Sequence, residues 1–451
     1  MRERRILQGP HSNLHASRVS WRDLLVAWVT YIGEKPSQNR WFEWTRRMRT
    51  RQLSSAVTAL ALFALLAGAC GVLGGEEPSG DAGSRSAKPA SAALGPEDAR
   101  PEGAEGEFAT DFSRHSVPYS EILSGGPPKD GIPAINDPQF VGVEEADSWI
   151  EPKEPVILFR VEDDVRAYPI QIVMWHEIVN DTVGGLPVVV TFCPLCNTAI
   201  AFERTVEGKE LTFSTTGRLR FSNLIMYDRQ TESWWQQATG SAIVGKFTGT
   251  QLDFRPASIV SWEDFRSAHP DGKVLSRNTG FSRDYGQNPY AGYDNVDNSP
   301  FLYEGPETPG TLPPMARVIT VDSSGEAVAY PYDVLRRAQA VNDTVGGKPV
   351  VVLWKAGTAS ALDEGTVAAG RDVGSSGVFS RTLDGKTLTF RSEGDRIVDQ
   401  QTGSEWSPLG HALEGELTGQ QLERIVSIDH FWFSWAAFRP DTRVYEPQSA
   451  R

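Results

Sequence analysis

From residue 111 to the C-terminal end, short runs of β-branched and aromatic residues alternate with polar turns, a pattern that predicts strands. Val156 to Val161 (VILFRV) reads as a strand, Glu162-Asp163-Asp164 as a turn, and Val165 to Tyr168 as the returning strand. Pro169 suits the first position of a helix, where its missing N–H costs nothing, and that helix is expected to run to about Val179. Asn180-Asp181 and Gly184-Gly185 should break it. Pro187 to Phe192 (PVVVTF) is a β-branched run, and Thr198 to Arg204 (TAIAFER) alternates as its partner. The stretch Cys193-Pro194-Leu195-Cys196-Asn197 then falls at the tip between two strands. The expected fold class is mainly β, of the α+β kind, with short helices.

The pattern also repeats. Ala167 to Val190 aligns without gaps on Ala329 to Val352, with 14 of 24 positions identical, sharing AYP, VNDTVGG and PVVV. GKELTF at 208–213 returns as GKTLTF at 385–390, and GSAIVGKFTGTQL at 240–252 as GHALEGELTGQQL at 410–422. We therefore expect two tandem duplicated β-rich units, the first at 111–279 and a second, degenerate one at 317–451. A Gly/Pro/Tyr-rich loop, 280–316, connects them. At four aligned positions the chemistry disappears: His176 becomes Ala338, Glu177 becomes Gln339, Cys193 becomes Lys355 and Cys196 becomes Thr358. The words that build the fold survive in the second unit while the thiols and the imidazole do not, which assigns His176, Cys193 and Cys196 to function.

Leu53 to Ala69 is an apolar run too short to span a bilayer, preceded by Arg46, Arg47, Arg49 and Arg51. It ends in Leu66-Ala67-Gly68-Ala69-Cys70, which resembles the lipid-attachment motif of bacterial lipoproteins. A start at Met48 gives a signal peptide of ordinary length over 48–69, so residues 1–47 are read as a mis-called N-terminal extension. Lipidation at Cys70 implies an anchor in the cell membrane at its extracytoplasmic face. Residues 70–110, rich in Gly, Ala, Pro and Glu, are expected to be a disordered tether. The whole chain carries −14; its first 69 residues hold 11 Lys and Arg against 4 Asp and Glu, so the remainder, 33 against 54, stands at −21. Such acidity repels nucleic acid and excludes it as a partner.

With Cys70 committed to lipid, only Cys193 and Cys196 remain as thiols. In an oxidising compartment so short a loop is a poor structural staple, so the pair calls for another explanation. At a helix N-terminus it would be a redox dithiol. At a β-turn it would be a metal knuckle, and the alternating segment that follows, with Asn197 suited to a left-handed residue, favours the knuckle. His176 is the natural third ligand of a Cys₂His site for copper or zinc, with His269, His411 and His430 as further candidates. A third reading makes a cysteine the nucleophile of a hydrolase with His176 as base. Tyr285 and Tyr290 of the connecting loop and Gln236 are candidate ligand-binding residues. Asp294, Asn295, Asp297 and Asn298 could ligate calcium, although their spacing fits no known loop.

DGIPAINDPQF (130–140), WHEIVND (175–181), VTFCPLCNTAIAFER (190–204), NLIMYDRQTESWWQQATG (223–240) and YGQNPYAGYDN (285–295) together resemble the bacterial and archaeal family called domain of unknown function 3179. Some of its members are selenoproteins; carried to Cys193 or Cys196, that implies redox or soft-metal chemistry. The expectation is an uncharacterised extracytoplasmic lipoprotein whose Cys/His centre serves thiol redox or soft-metal binding, possible enzyme activity being that of an oxidoreductase. The alternative is a module that binds a small molecule or a cell-envelope protein, with the cysteine pair a passive knuckle.

Overall fold

In a computed structural model, residues 99–447 are described, and they form a mainly β protein with few short helices. The expected extension, signal peptide, lipidation site Cys70 and most of the tether lie outside these residues. No helix among the described residues is long and apolar enough to cross a membrane.

VILFRV and its return pair as expected, Pro155–Val161 against Asp164–Pro169, in a five-stranded sheet that also holds Ala257–Ser261 and Lys273–Leu275. Trp262–Ala268 packs its Trp262 and Phe265 against that sheet. The next sheet carries the cysteines. Ile178–Val183, Leu186–Cys193 and Thr198–Glu203 run antiparallel in register, with Cys193 opposite Thr198. A third sheet, Phe213–Arg220, Asn223–Asp228, Trp234–Gln236 and Ser241–Val244, closes over it. The core between them includes Cys193, Cys196, Phe202, Phe213 and Trp235.

Two expectations are corrected here. The helix after Pro169 covers only Ile170–Val173, and Ile178–Val183 is a strand rather than a helix end. Ile178, Val179, Thr182 and Val183 are β-branched, and that preference outweighs the breaking effect of Asn180 and Asp181. The polar pair is absorbed by partners: Asn180 bonds the backbone of Phe213 through both ends of its amide, at 2.8 Å each, while Asp181 accepts from Arg166 and Tyr168. Gly184 makes the following turn at φ 54°, where a Cβ would come within 2.9 Å of Val161. The last part of the expected tether is also ordered. Ala104–Glu107 is helical, Ala104 and Phe108 are buried in a core with Tyr227 and Trp234, and Glu107 pairs with Arg218.

Beyond residue 316, Arg317–Ser323 pairs with Glu326–Pro331, Tyr332–Ala338 is helical, and Ala340–Val345, Lys348–Lys355 and Ser375–Ser380 form an antiparallel sheet. Here Lys355 lies opposite Ser375, so residues 356–374 leave the sheet as an excursion where the first half makes a tight turn. Thr358, aligned with Cys196, lies in that excursion.

Candidate functional site

The strand Leu186–Cys193 ends directly in a 3₁₀ turn, Pro194–Cys196. Asn197 follows in the left-handed conformation (φ 52°, ψ 42°), its N–H donating to Pro194 O at 3.2 Å. The tip and its left-handed Asn197 were both expected from the sequence. The geometry brings the two Cα atoms to 5.3 Å, and the sulfurs are joined as a disulfide. Both cysteines are buried.

The turn is held from several sides. Thr198 Oγ1 donates to Cys196 O at 3.1 Å and meets His430 Nδ1, from far along the chain, at 2.9 Å. Gln237 Nε2 donates to Thr191 Oγ1 at 3.0 Å and to Thr198 O at 3.3 Å. Ser222 O lies 3.5 Å from Cys196 Sγ, where it would accept from the thiol of the reduced pair. Phe221 and Ser222, which form that hairpin turn, both have positive φ (53° and 61°). Asn-Gly is the usual occupant of such a turn; a Phe-Ser pair costs on the order of 1–3 kcal/mol per residue and brings Ser222 O against the sulfur.

The connecting loop covers the other side. Tyr293 donates its hydroxyl to Leu195 O at 3.0 Å, at the tip of the disulfide turn. Its neighbour Tyr290 is buried and is held far above the usual phenol range by burial and then by the carboxylate of Glu177. Glu177 sits in a left-handed conformation (φ 58°), and its carbonyl accepts from the N–H of Phe192, the residue before Cys193. Burial alone pushes its carboxyl up to about 8, so it holds a proton at neutral pH.

His176 is fully buried on the turn between helix and strand. Its Nδ1 faces Pro133 O at 2.7 Å and its Nε2 faces Tyr285 OH at 2.7 Å, with Thr279 Oγ1 2.5 Å beyond. A carbonyl only accepts, which assigns the proton to Nδ1 and makes Nε2 the acceptor of the tyrosine hydroxyl. Burial holds this imidazole down at about 4, so it is neutral at ordinary pH.

The proposed Cys₂His metal set is therefore not assembled: the sulfurs are bonded to each other and both imidazole nitrogens are engaged elsewhere. No group of three or more His, Cys, Asp or Glu among the described residues has the arrangement of a metal site. His269 and His411 lie together at another place, rings 6.0 Å apart. Asp294 is not a free calcium ligand but is buried between Arg317 and Arg371. Gln236 is buried with its Nε2 on Leu224 O at 3.2 Å, and it is the next residue, Gln237, that supports the turn. Glu177, Gln237 and the Tyr293 contact were missed as site features. A signal for the first was present: the aligned Gln339 is its neutral isostere.

A family model described as "Protein of unknown function (DUF3179)" matches residues 129–442. No curated protein and no solved structure matches the chain.

Proposed function

The chain belongs to the DUF3179 family, whose description carries no activity, and from the site itself we propose that the first half is a thiol–disulfide redox module. The supporting observation is the Cys193–Cys196 disulfide, set on a turn whose aligned positions in the second half hold Lys355 and Thr358. By the loop-entropy relation a bond closing so short a loop adds only about 2 kcal/mol, which makes stability a weak reason for it.

The exchange balances with a dithiol protein or small dithiol as co-reactant. Its thiolate attacks one sulfur, a mixed disulfide forms, and the other sulfur leaves as thiolate and takes up a proton. The co-reactant's second thiolate then displaces the first sulfur, so two electrons and two protons reach the pair and the co-reactant is oxidised to its disulfide. Because both sulfurs are buried, exchange requires the turn to open, and the Tyr293 hydroxyl on Leu195 O is one contact that would resist it.

We further propose that the module is lipid-anchored through Cys70 at the extracytoplasmic face of the cell membrane, with a cell-envelope dithiol as partner, and that the two halves are a tandem duplication with a single active centre. In the reduced state the pair offers two thiolates to copper(I) or zinc; His176 joins only if Tyr285 releases Nε2. A cysteine hydrolase is disfavoured, since the same Nε2 is already an acceptor and the sulfurs are joined.

The test is redox titration, thiol count and metal content of the purified protein beside Cys193→Ser and His176→Ala. Two additional thiols on reduction, with one two-electron midpoint lost in Cys193→Ser and kept in His176→Ala, support the proposal. Stoichiometric copper(I) or zinc lost in both variants moves the reading to a metal centre. A pair that never changes oxidation state, with no metal bound, leaves the binding module in its place.

A further inference from the structure

Two cavities, each lined by residues of both halves, are built from aligned positions with the halves exchanged, and their linings differ in charge. The first, about 320 Å³, is lined by Leu158, Arg160, His269, His411, Gln421 and Arg424, among others. The second, about 500 Å³, has at the aligned positions Thr320, Asp322, Arg439, Ser241, Gln251 and Phe254. Strand pairing agrees with this correspondence: Leu158 is opposite Ser258 as Thr320 is opposite Ile428, and Phe254 meets Phe202 as Arg424 meets Phe379.

In the second cavity the positive group is neutralised. Arg439 is ion-paired with Asp322, and Phe254 packs on Phe202 with ring centroids 4.8 Å apart. In the first, Arg160 stands where Asp322 would be, and Arg424 stands where Phe254 would be. The Arg424 guanidinium lies 4.9 Å over the Phe379 ring and donates to Ser258 Oγ, but neither it nor Arg160 is ion-paired among the described residues. The one carboxylate in the lining, Glu423, is exposed. Burial holds His269 down to about 4, with His411 and the two arginines adding to it, and burial and then Arg160 bring Arg424 down to about 10. In a chain of net charge −14, whose overall field repels anions, this is a local concentration of unneutralised positive charge. A role as a staple between the halves accounts for Arg424 on Ser258 but for neither Arg160 nor the histidines.

We propose that this cavity binds a small oxyanion, of the class of sulfate, phosphate or a compact carboxylate, between Arg160 and Arg424 with His269 and His411 as further donors. Guanidinium groups present paired N–H donors to such oxygens, and the cavity lies at the lower end of the size range of ligand pockets. Binding is linked to protonation: Arg160 and Arg424 oppose a charge on either imidazole, Glu423 favours one from the rim, Gln421 is neutral, and the bound anion tips the balance towards imidazolium. Affinity therefore rises as pH falls, with proton uptake.

Calorimetric titration of the purified protein with sulfate, whose charge is constant over the interval, tests this at pH 5.5 and 7.5 with ionic strength fixed by chloride. The expected result is saturable binding at least tenfold tighter at pH 5.5, and at least tenfold weaker in Arg424→Phe and Arg160→Asp. Both substitutions install the residue that the second cavity carries, and circular dichroism checks their folding; if Arg424→Phe does not fold, the exposed Arg160→Asp decides. Absence of saturable binding at both pH values, or equal binding by the folded variants, overturns the proposal. Repeating the titration with succinate separates a carboxylate ligand from an inorganic one.

Discussion

In the first half Tyr168 donates to Asp181, Asn180 clasps the backbone of Phe213, Arg204 reaches Leu211 O, and the Trp235 indole donates to Asp228. In the second half Tyr330, Asn342, Arg381 and Trp406 make the same contacts with Asp343, Phe390, Leu388 and Asp399. Even the positive-φ residue before the strand is shared, at φ 58° for Glu177 and φ 56° for Gln339, each carbonyl accepting at 2.8 Å from the strand opposite. The halves part at their tips. One closes through a cysteine turn; the other opens into residues 356–374, which bond the backbone of the connecting loop at Asn288, Gly292 and Tyr293. That loop is thus fixed on the second half while its Tyr293 reaches the disulfide turn of the first. The contacts common to both halves hold the strands and turns in place; the residues confined to one half are free to serve chemistry.

The sharpest way to break this comparison is to exchange Glu177 for the residue its counterpart carries. Folded, Glu177 keeps its proton up to about 8, whereas its ordinary value is 4.5. The folded state therefore binds more protons than the unfolded one between those values, and stability falls as pH rises through them. Glu177→Gln should leave stability at pH 4.5 nearly unchanged, raise it by several kcal/mol at pH 8, and remove this residue's share of the slope between, while buried Asp429, raised to about 6, keeps its own. Denaturant unfolding across that interval reads the effect; an unchanged slope would mean that the acid is not buried in the way described.

The next test concerns what the halves share. Asp228 accepts from the Thr231 N–H, the Thr231 hydroxyl and the Trp235 indole, and Asp399 repeats this with Thr402 and Trp406. Removing either carboxylate leaves buried donors unpaired. Asp228→Ala and Asp399→Ala should each cost about 3 kcal/mol in urea unfolding, and by similar amounts. A large inequality would show that one half depends on this turn and the other does not.

Much of this scaffold is legible in the sequence because it is local. VILFRV and PVVVTF announce strands through β-branched runs, and CPLCN announces a tip because strand patterns flank it and Asn197 tolerates a left-handed backbone. The helix expected to reach Val179 fails because long-range partners, Phe213 for Asn180 and Tyr168 for Asp181, hold polar residues inside a strand. The site itself is assembled from greater distances: His176 meets Tyr285, Leu195 meets Tyr293, and Thr198 meets His430, none of which leaves a periodic trace. Alignment of the halves marks the positions that differ, but not which of them come together. Thus His269 and His411 enter as possible ligands for the cysteine centre, and the fold sets them with Arg160 and Arg424 in another cavity.

The smallest expected effect on stability bears most directly on the coupling between the loop and the disulfide. Tyr293→Phe keeps the buried ring, removes the hydroxyl that bonds Leu195 O at 3.0 Å, and releases Phe301 N, which donates to it at 3.3 Å. Loss of such a bond at a partly buried site costs about 1 kcal/mol, so thermal unfolding should move little. If the loop must lift before a thiolate reaches the sulfur, the same loss favours the open state, and reduction of Cys193–Cys196 by dithiothreitol should accelerate by about fivefold. The rate is read by trapping free thiols over time at fixed pH, beside the unmodified protein. Acceleration of that size identifies the loop as the barrier to exchange. An unchanged rate assigns the barrier to the turn itself, where Pro194, the left-handed Asn197 and the Phe221-Ser222 hairpin hold the sulfurs under the sheet.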